Sequence, residues 1–242
     1  MDRYGIHIYP QMARSGHLWL HEASNIDVHI TLGRMEVTAE YDPQGGFRFL
    51  KFGASGQTHS ASAVVYLHGA GERGNDLSLV TRFGLPAMLT EVRAVTNCTV
   101  FCPQLAEGEV WQPDRVASFI HTVGAPYESV SLIGFSLGAS GVCSFTAAHG
   151  AIATFAMAIA GQGPATVQVS QAGVRLLAIQ GELDPWPNTS NFLASVRSAG
   201  GEAVEVELAG QGHFISEEAL ANPTAVSMLL AAGVCITAAN AA

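Results

Sequence analysis

The chain has 242 residues, of which 48% are hydrophobic and 13% charged, enough apolar material for one large domain with a substantial core. A formal net charge of −9 excludes a broadly basic surface, so neither nucleic acid nor an anionic membrane is expected as a partner. The N-terminal segment lacks the basic and then apolar order of a signal peptide and no apolar run reaches transmembrane length, so we expect a cytoplasmic location.

The first 60 residues show the alternation of β-strands and no helical periodicity. Apolar and polar residues alternate over 26–30, 35–41 and 47–52, and the turn signal Asp42-Pro43-Gln44-Gly45-Gly46 separates the last two segments. We expect residues 1–60 to form antiparallel strands that extend the main sheet. Five of the nine histidines lie here, but their spacing does not match a metal motif, so no metal site is predicted.

Predicted strands alternate with predicted helices through residues 61–242, the expected catalytic core. Apolar segments rich in β-branched residues predict buried strands over 63–67, 99–101, 129–133, 154–159, 174–179 and 203–208. Helices are predicted over 77–92 with an interruption at 84–86, from Asp114 to 123, over 139–149, from Asn188 to 199, and from about Ser216 onward. This alternation indicates an α/β fold, a mostly parallel sheet with helices on both faces.

The four cysteines are expected to be free thiols with no metal or cofactor role. Cys98 and Cys102 lie on one predicted strand, about 13 Å apart at the usual rise per residue. That separation is too long for a disulfide. No Cys-x-x-Cys pattern is present, and no cofactor is expected.

The segment Gly134-Phe135-Ser136-Leu137-Gly138 has the G-x-S-x-G pattern between a predicted strand and a predicted helix. This context is typical of a nucleophile elbow, a sharp turn that exposes the serine Oγ at the end of the sheet. Side chains at the two glycine positions would collide with the neighbouring strand and helix. We therefore predict that Ser136 is a catalytic nucleophile.

A serine hydroxyl needs a base within hydrogen-bond reach, and the base needs a partner that holds its tautomer. His213 follows the last core strand and is the predicted base. Asp184 follows the preceding core strand and is the predicted partner, with Glu182 and Glu207 as rival acids. The chain order serine, aspartate, histidine is that of α/β-hydrolases.

Four chemical features share one topological position. The glycine-rich turn at 68–76, Ser136, Asp184 and His213 each come directly after a predicted strand. Ligand sites in parallel sheets lie at the carboxyl ends of the strands. We therefore expect all four features to meet at one edge of the sheet.

Acyl transfer through a serine also needs backbone N–H donors for the oxyanion of the tetrahedral intermediate. One predicted donor is Leu137, immediately after the nucleophile. The other is Ala70 in the glycine-rich turn, with Gly71 as the alternative.

Three aromatic residues are the predicted lining of the substrate cleft. Trp111 and Trp186 lie on loops at the carboxyl ends of strands, and Phe135 is next to the nucleophile. The segment 161–173 is too short for a cap domain, so an open cleft for short or aromatic acyl esters is expected.

The segment Leu67-His68-Gly69-Ala70-Gly71-Glu72-Arg73-Gly74-Asn75-Asp76 resembles the oxyanion loop of a group of bacterial α/β-hydrolases. The group includes carboxylesterases, feruloyl-type esterases and polyhydroxyalkanoate-depolymerase-like proteins, often called predicted peptidases. Pro103-Gln104 and Trp111 resemble the segment after the next strand, and the resemblance covers about residues 63–215. It implies an α/β-hydrolase fold, a catalytic triad of Ser136, Asp184 and His213, and hydrolysis of a small-molecule ester. It also implies that Glu72 and Arg73 brace the oxyanion loop.

Other functions on the same triad remain open. A peptidase, a thioesterase or an acyltransferase would use the same acyl-enzyme. A dienelactone-hydrolase-like enzyme would carry cysteine at position 136, and a lipase with a lid would need a long insertion. A non-catalytic binding module is disfavoured because such modules usually lose a triad residue, and here all three are present.

Overall fold

The computed structural model describes residues 29–32, 35–54, 60–91, 93–164, 173–186 and 189–238. The strands are β1 (His29–Leu32), β2 (Met35–Asp42), β3 (Phe47–Ala54), β4 (Ser62–Leu67), β5 (Ala94–Thr96), β6 (Thr99–Gln104), β7 (Ser129–Phe135), β8 (Phe155–Ile159), β9 (Arg175–Gly181), β10 (Glu202–Leu208) and β11 (Ile236–Ala238). The α-helices are α1 (Gly84–Thr90), α2 (Pro113–Gly124), α3 (Leu137–His149), α4 (Ser190–Ser198), α5 (Ser216–Ala221) and α6 (Pro223–Ala231), and short 3₁₀ helices cover Ala70–Glu72, Leu77–Thr81 and Gly150–Ile152.

A nine-stranded sheet runs through the molecule in the order β1-β2-β3-β6-β4-β7-β8-β9-β10. The strands from β6 to β10 in this order are parallel, which confirms the predicted α/β fold. Strands β1 to β3 are antiparallel and extend the sheet beyond β6. The predicted alternating segment at 26–30 lies mostly outside the described residues, as do four of the five N-terminal histidines.

Two hydrophobic cores cover the two faces of the sheet. All six residues of β4 are buried, because both faces of this central strand carry helices. Val64 and Tyr66 point into the core beneath α1, α5 and α6. Val65 and Leu67 point to the opposite core, beneath α2, α3 and α4. Alternate side chains of one strand therefore belong to different cores.

The segment predicted as an interrupted helix over 77–92 forms two separate helices. A 3₁₀ helix covers Leu77–Thr81, and α1 begins at Gly84. Gly84 has a φ of +63°, and a Cβ at this position would overlap the hydroxyl of Tyr66. Glycine is therefore needed here for the backbone conformation and for the close approach of the tyrosine.

Two predicted helix starts and one predicted helix differ from the structure. Helix α2 begins at Pro113 with Gln112 at the N-cap, so the prediction that Asp114 caps it is wrong. Helix α4 has Thr189 at its N-cap, and Asn188 lies outside the described residues. The single C-terminal helix expected from Ser216 is divided into α5 and α6 at Asn222-Pro223, because proline starts a new helix more readily than it continues one.

A small antiparallel ribbon of β5 and β11 was not predicted from the sequence. Both strands have only three residues, too few for a visible alternation. Three of the four free cysteines are buried, and Cys235 is half-buried. Within the described ranges, no helix combines the length and apolar character needed to cross a bilayer.

Candidate active site

Ser136 lies on a strained turn between β7 and α3. Its φ of 55° and ψ of −115° are rarely adopted by a residue with a side chain. The N–H of Ser136 donates to the Ile159 carbonyl at 2.9 Å and fixes the turn against β8. A Cβ at Gly134 would overlap the Gly138 backbone, and one at Gly138 would overlap the Leu67 carbonyl. Both glycines of the elbow are therefore needed for close packing.

Ser136, His213 and Asp184 form a continuous hydrogen-bonded chain. The distance from Ser136 Oγ to His213 Nε2 is 2.9 Å, and the distance from His213 Nδ1 to Asp184 Oδ2 is 2.8 Å. Gln180 Nε2 donates to the same Oδ2, and the Trp186 N–H donates to Oδ1. The buried carboxylate thus accepts the Nδ1 proton of the imidazole, which leaves Nε2 to accept the serine proton.

Close packing of two loops brings Asp184 and His213 together. A Cβ at Gly181, the last residue of β9, would overlap the Gly212 carbonyl on the loop that carries His213. The rival acid Glu182 is exposed and accepts from the Gly210 N–H at 2.7 Å. Glu207 is exposed on β10. Within the described residues, Asp184 is the carboxylate that bonds to the imidazole.

The glycine-rich turn places N–H donors next to Ser136. A Cβ added to Gly69 would lie 3.5 Å from the Cβ of Ser136, so the turn packs directly against the elbow. The N–H groups of Ala70, Gly71 and Leu137 have no hydrogen-bond acceptor in the part of the chain that the structure describes. Such donors can bind a developing oxyanion without first breaking another hydrogen bond.

Glu72 and Arg73 hold the glycine-rich turn through hydrogen bonds. The Glu72 carboxyl oxygen Oε2 accepts from the Gly69 N–H at 2.8 Å. Arg73 donates through Nε to the Ala70 carbonyl at 3.0 Å and through Nη1 to the Glu109 carbonyl at 3.1 Å. Among the described residues no ion pair joins Glu72 to Arg73. The two side chains brace the turn independently.

His68 is a structural element of this turn that the sequence analysis did not assign. The Leu105 N–H donates to its Nε2 at 3.0 Å, so Nδ1 carries the proton and donates to the Gly69 carbonyl. Burial of the ring lowers the pKa of His68 to about 4, which keeps it neutral. The neutral imidazole therefore connects the glycine-rich turn to the loop after β6. In the sequence, the position of His68 between a buried strand and a glycine-rich turn was the signal for this structural role.

Titration of Glu72 leads to a pH-dependent prediction about stability. Burial raises the pKa of the Glu72 carboxyl to about 8, whereas its usual value is 4.5. Between these values the native state holds a proton that the unfolded chain has lost, so this group makes the protein less stable as pH rises. Glu72→Gln retains an oxygen acceptor for Gly69 and cannot ionise. We expect the melting temperature of Glu72→Gln, relative to that of the parent, to rise by several degrees between about pH 6 and pH 9.

Thermal unfolding of both proteins across this pH range measures the effect. Other titrating groups are common to both proteins, so their contributions cancel in the difference. A difference that is constant with pH would show that Glu72 does not titrate in this way.

Trp111 lies in the core, and its predicted place on the cleft wall is corrected by the structure. Its side chain is 4% exposed and packs against the rings of Phe47 and His68. The indole Nε1 donates to the His68 carbonyl at 3.1 Å. A Cβ at Gly141 on α3 would lie 2.6 Å from the Cβ of Trp111. The indole therefore supports the glycine-rich turn from the core side.

Aromatic rings surround the imidazole of His213. The ring centroids of Trp186 and Phe135 lie 5.1 and 5.3 Å from that of His213, and Phe214 lies at 5.4 Å. Trp186 is 48% exposed and Phe214 is 71% exposed, whereas Phe135 is buried beneath them. Phe214 was missed by the sequence analysis, although a large apolar residue directly after the predicted base was visible.

A cavity of about 260 Å³ lies next to the Phe135 and Phe214 rings that contact His213. Phe83, Phe135 and Phe214 contribute aromatic rings to its lining, and the polar side chains that line it are Arg82, Arg93, Ser216, Glu217 and Glu218. The Phe83 and Phe214 rings also contact each other, with centroids 5.7 Å apart. Ser136, Asp184 and His213 do not line this cavity, but two of its lining residues, Phe135 and Phe214, have ring centroids 5.3 and 5.4 Å from that of His213.

The two tryptophans have different expected mutant effects. Trp186→Ala should shift the acyl chain-length preference of kcat/KM several-fold with little change in melting temperature, since its ring is exposed beside His213. Trp111→Ala should lower the free energy of unfolding by about 3–5 kcal/mol, because it empties a core position. Chain-length profiles and thermal unfolding of both variants distinguish the two roles. An unchanged profile with earlier unfolding in Trp186→Ala would make that indole structural as well.

The described residues include no group of three or more histidine, cysteine, aspartate or glutamate side chains that could hold a metal ion.

Neither a protein-family model nor a curated protein matches the chain.

Solved structures do match. A thermostable esterase is 18% identical with a TM-score of 0.61, over 82% of this chain and 63% of its own chain. An esterase of Pyrobaculum calidifontis is 15% identical with a TM-score of 0.58, over 84% and 87% of the two chains. An S-formylglutathione hydrolase from Agrobacterium tumefaciens is 13% identical with a TM-score of 0.55, over 80% and 95%. The chain has the α/β-hydrolase fold, as the sequence analysis predicted.

Proposed function

We propose that this α/β-hydrolase-fold protein is a serine esterase that cleaves carboxylic esters with short or aromatic acyl groups. The observation that carries the proposal is the hydrogen-bonded chain from Asp184 through His213 to the Oγ of Ser136, which lies beside N–H donors that have no acceptor among the described residues. A hydroxyl in this setting is activated for attack on a carbonyl carbon. Three of the similar solved structures are a thermostable esterase, the esterase PE8 and an esterase of Pyrobaculum calidifontis, in agreement with this chemistry.

Acylation begins when Ser136 Oγ forms a bond to the ester carbonyl carbon and gives its proton to His213 Nε2. The carbonyl oxygen becomes an oxyanion, which accepts from the N–H of Leu137 and from that of Ala70 or Gly71. The intermediate then breaks the bond between the carbonyl carbon and the alkoxy oxygen. His213 returns the proton to that oxygen, so the alcohol leaves and the acyl group remains on Ser136.

Deacylation repeats these steps with water. His213 takes a proton from a water molecule as the water oxygen bonds to the acyl carbon. The bond between the acyl carbon and Ser136 Oγ then breaks, and His213 gives the proton to the departing Oγ. The carboxylic acid is released and the free serine returns. Throughout, the Asp184 carboxylate holds the imidazole tautomer and stabilises the imidazolium ion.

The preference for short or aromatic acyl groups follows from the size and lining of the cavity. A volume of about 260 Å³ whose lining includes three phenylalanine side chains accommodates a few methylene groups or one ring. Trp186 and Phe214 are exposed beside His213 and offer further apolar area at low entropic cost.

A substrate panel tests the proposal. It contains p-nitrophenyl esters of two to twelve carbons, hydroxycinnamate esters, thioesters and anilides, with Ser136→Ala as the control. We expect the highest kcat/KM among short or aromatic esters and low rates on anilides. Preferred cleavage of anilides would favour a peptidase, and preferred cleavage of thioesters a thioesterase. No Ser136-dependent turnover of any member would contradict hydrolase function.

A further inference from the structure

Arg82 is distinguished from the other cationic side chains that the structure describes. Lys51, Arg93, Arg115 and Arg175 pair with carboxylates, and Arg48, Arg73 and Arg197 donate to backbone carbonyl oxygens. Within the same described ranges, the Arg82 guanidinium has no ion pair and donates no hydrogen bond. Its five N–H donors are therefore available to a ligand.

This guanidinium lies at the cavity next to Phe135 and Phe214. Arg82 is exposed, follows the 3₁₀ helix Leu77–Thr81 and lines the cavity together with Phe83, Phe135 and Phe214. The cavity therefore combines three phenylalanine rings with one cation that has no partner among the described residues, beside the Arg93–Glu217 ion pair and Glu218. A ligand that fits it carries an apolar spacer and an anionic end.

Of the other charged groups that line the cavity, none that the structure describes forms an ion pair with Arg82. Arg93 is paired with Glu217, and Glu218 is exposed without an ion pair to Arg82. The Glu72 carboxyl interacts electrostatically with Arg82. However, burial raises the pKa of Glu72 to about 8, so near neutral pH the carboxyl is mainly uncharged.

We infer that Arg82 binds a carboxylate of the substrate, and that the substrates are esters carrying one free carboxylate beyond a short or aromatic spacer. The inference rests on the proposed esterase function and narrows its substrate class. Arginine suits this role because its planar fork donates two parallel hydrogen bonds to one carboxylate. With a net charge of −9, the protein repels anions at long range, so a local cation is needed to hold one.

Matched ester pairs test the inference. On the acyl side, p-nitrophenyl hemisuccinate, hemiglutarate and hemiadipate are compared with p-nitrophenyl valerate. On the alcohol side, 4-acetoxybenzoate is compared with 4-methylphenyl acetate. In the parent enzyme, kcat/KM should favour the carboxylate in at least one pair. Arg82→Gln should lower that ratio roughly 10- to 100-fold, mainly through KM, since a hydrogen bond to a charged group is lost.

Charge controls separate a local effect from a general one. Arg175→Gln also removes one positive charge, but at the amino end of β9, at the opposite edge of the sheet, and should leave the ratio unchanged. Arg82→Lys should restore part of the preference. Glu218→Gln should increase it, because a carboxylate near the ligand is removed.

Binding measurements distinguish failure of this inference from failure of the esterase proposal. Calorimetric titration of p-nitrophenyl hemiglutarate and 4-acetoxybenzoate into Ser136→Ala, with and without Arg82→Gln, needs no turnover. Ester hydrolysis without any Arg82-dependent preference or binding would overturn the inference about Arg82 and support the esterase proposal. Arg82-dependent binding without hydrolysis of any ester would support carboxylate binding by Arg82 and overturn the esterase proposal. Absence of both would overturn both.

Discussion

Replacing Ser136 with alanine is expected to reduce ester hydrolysis by about 10⁶-fold, the scale of loss for a nucleophile in a serine protease triad. The Oγ atom is the group that His213 activates, and water in its place has no comparable positioning. Alanine meets the same backbone strain as serine at a φ of 55°, so the variant should unfold at the parent temperature.

Rates on p-nitrophenyl esters and thermal unfolding measure these two expectations. A serine-directed phosphonate should label the parent protein at Ser136 and leave the variant unlabelled. Ser144→Ala on the same helix α3 is the matched control and should keep full activity. An active Ser136→Ala enzyme would exclude the proposed mechanism.

The second large effect concerns His213 and Asp184. His213→Ala removes the base and should bring kcat close to background. Asp184→Asn should cost about 10⁴-fold, by analogy with the equivalent change in a serine protease. The carboxylate oxygens accept from His213, Gln180 and the Trp186 N–H. An amide replaces one acceptor with a donor, so the imidazole no longer keeps its proton on Nδ1.

Glu182→Gln is the control for this assignment. Glu182 is exposed and bonds to the Gly210 N–H, so its neutral amide should reduce kcat only slightly. A crippled Glu182→Gln together with a mild Asp184→Asn would identify Glu182 as the acid that orients the histidine.

The fold class was predictable because its signals are local. Short apolar segments alternate with helical segments after residue 61, and the turn at 43–46 separates the strands now seen as β2 and β3. Errors occurred at helix ends and in short elements. Gln112 rather than Asp114 caps α2, and the ribbon of β5 and β11 depends on pairing between segments far apart in the chain.

The cleft lining was less predictable than the triad positions. Trp111 and Trp186 have the same topological position after strands, yet one is buried against Phe47 and the other is exposed beside His213. Nothing within either loop distinguishes them, because the partners of each indole come from other parts of the chain.

The sequence by itself determined the parallel α/β architecture and the positions of Ser136, Asp184 and His213 after the core strands β7, β9 and β10, because strand periodicity and the glycine pattern of a tight turn are properties of contiguous residues. Only the tertiary structure decided the distances between these side chains, the neutral state of His68, the burial of Trp111 and the position of Arg82 at the cavity. Each of these depends on which distant segments pack together, since hydrogen bonds, desolvation and ion pairing act through space.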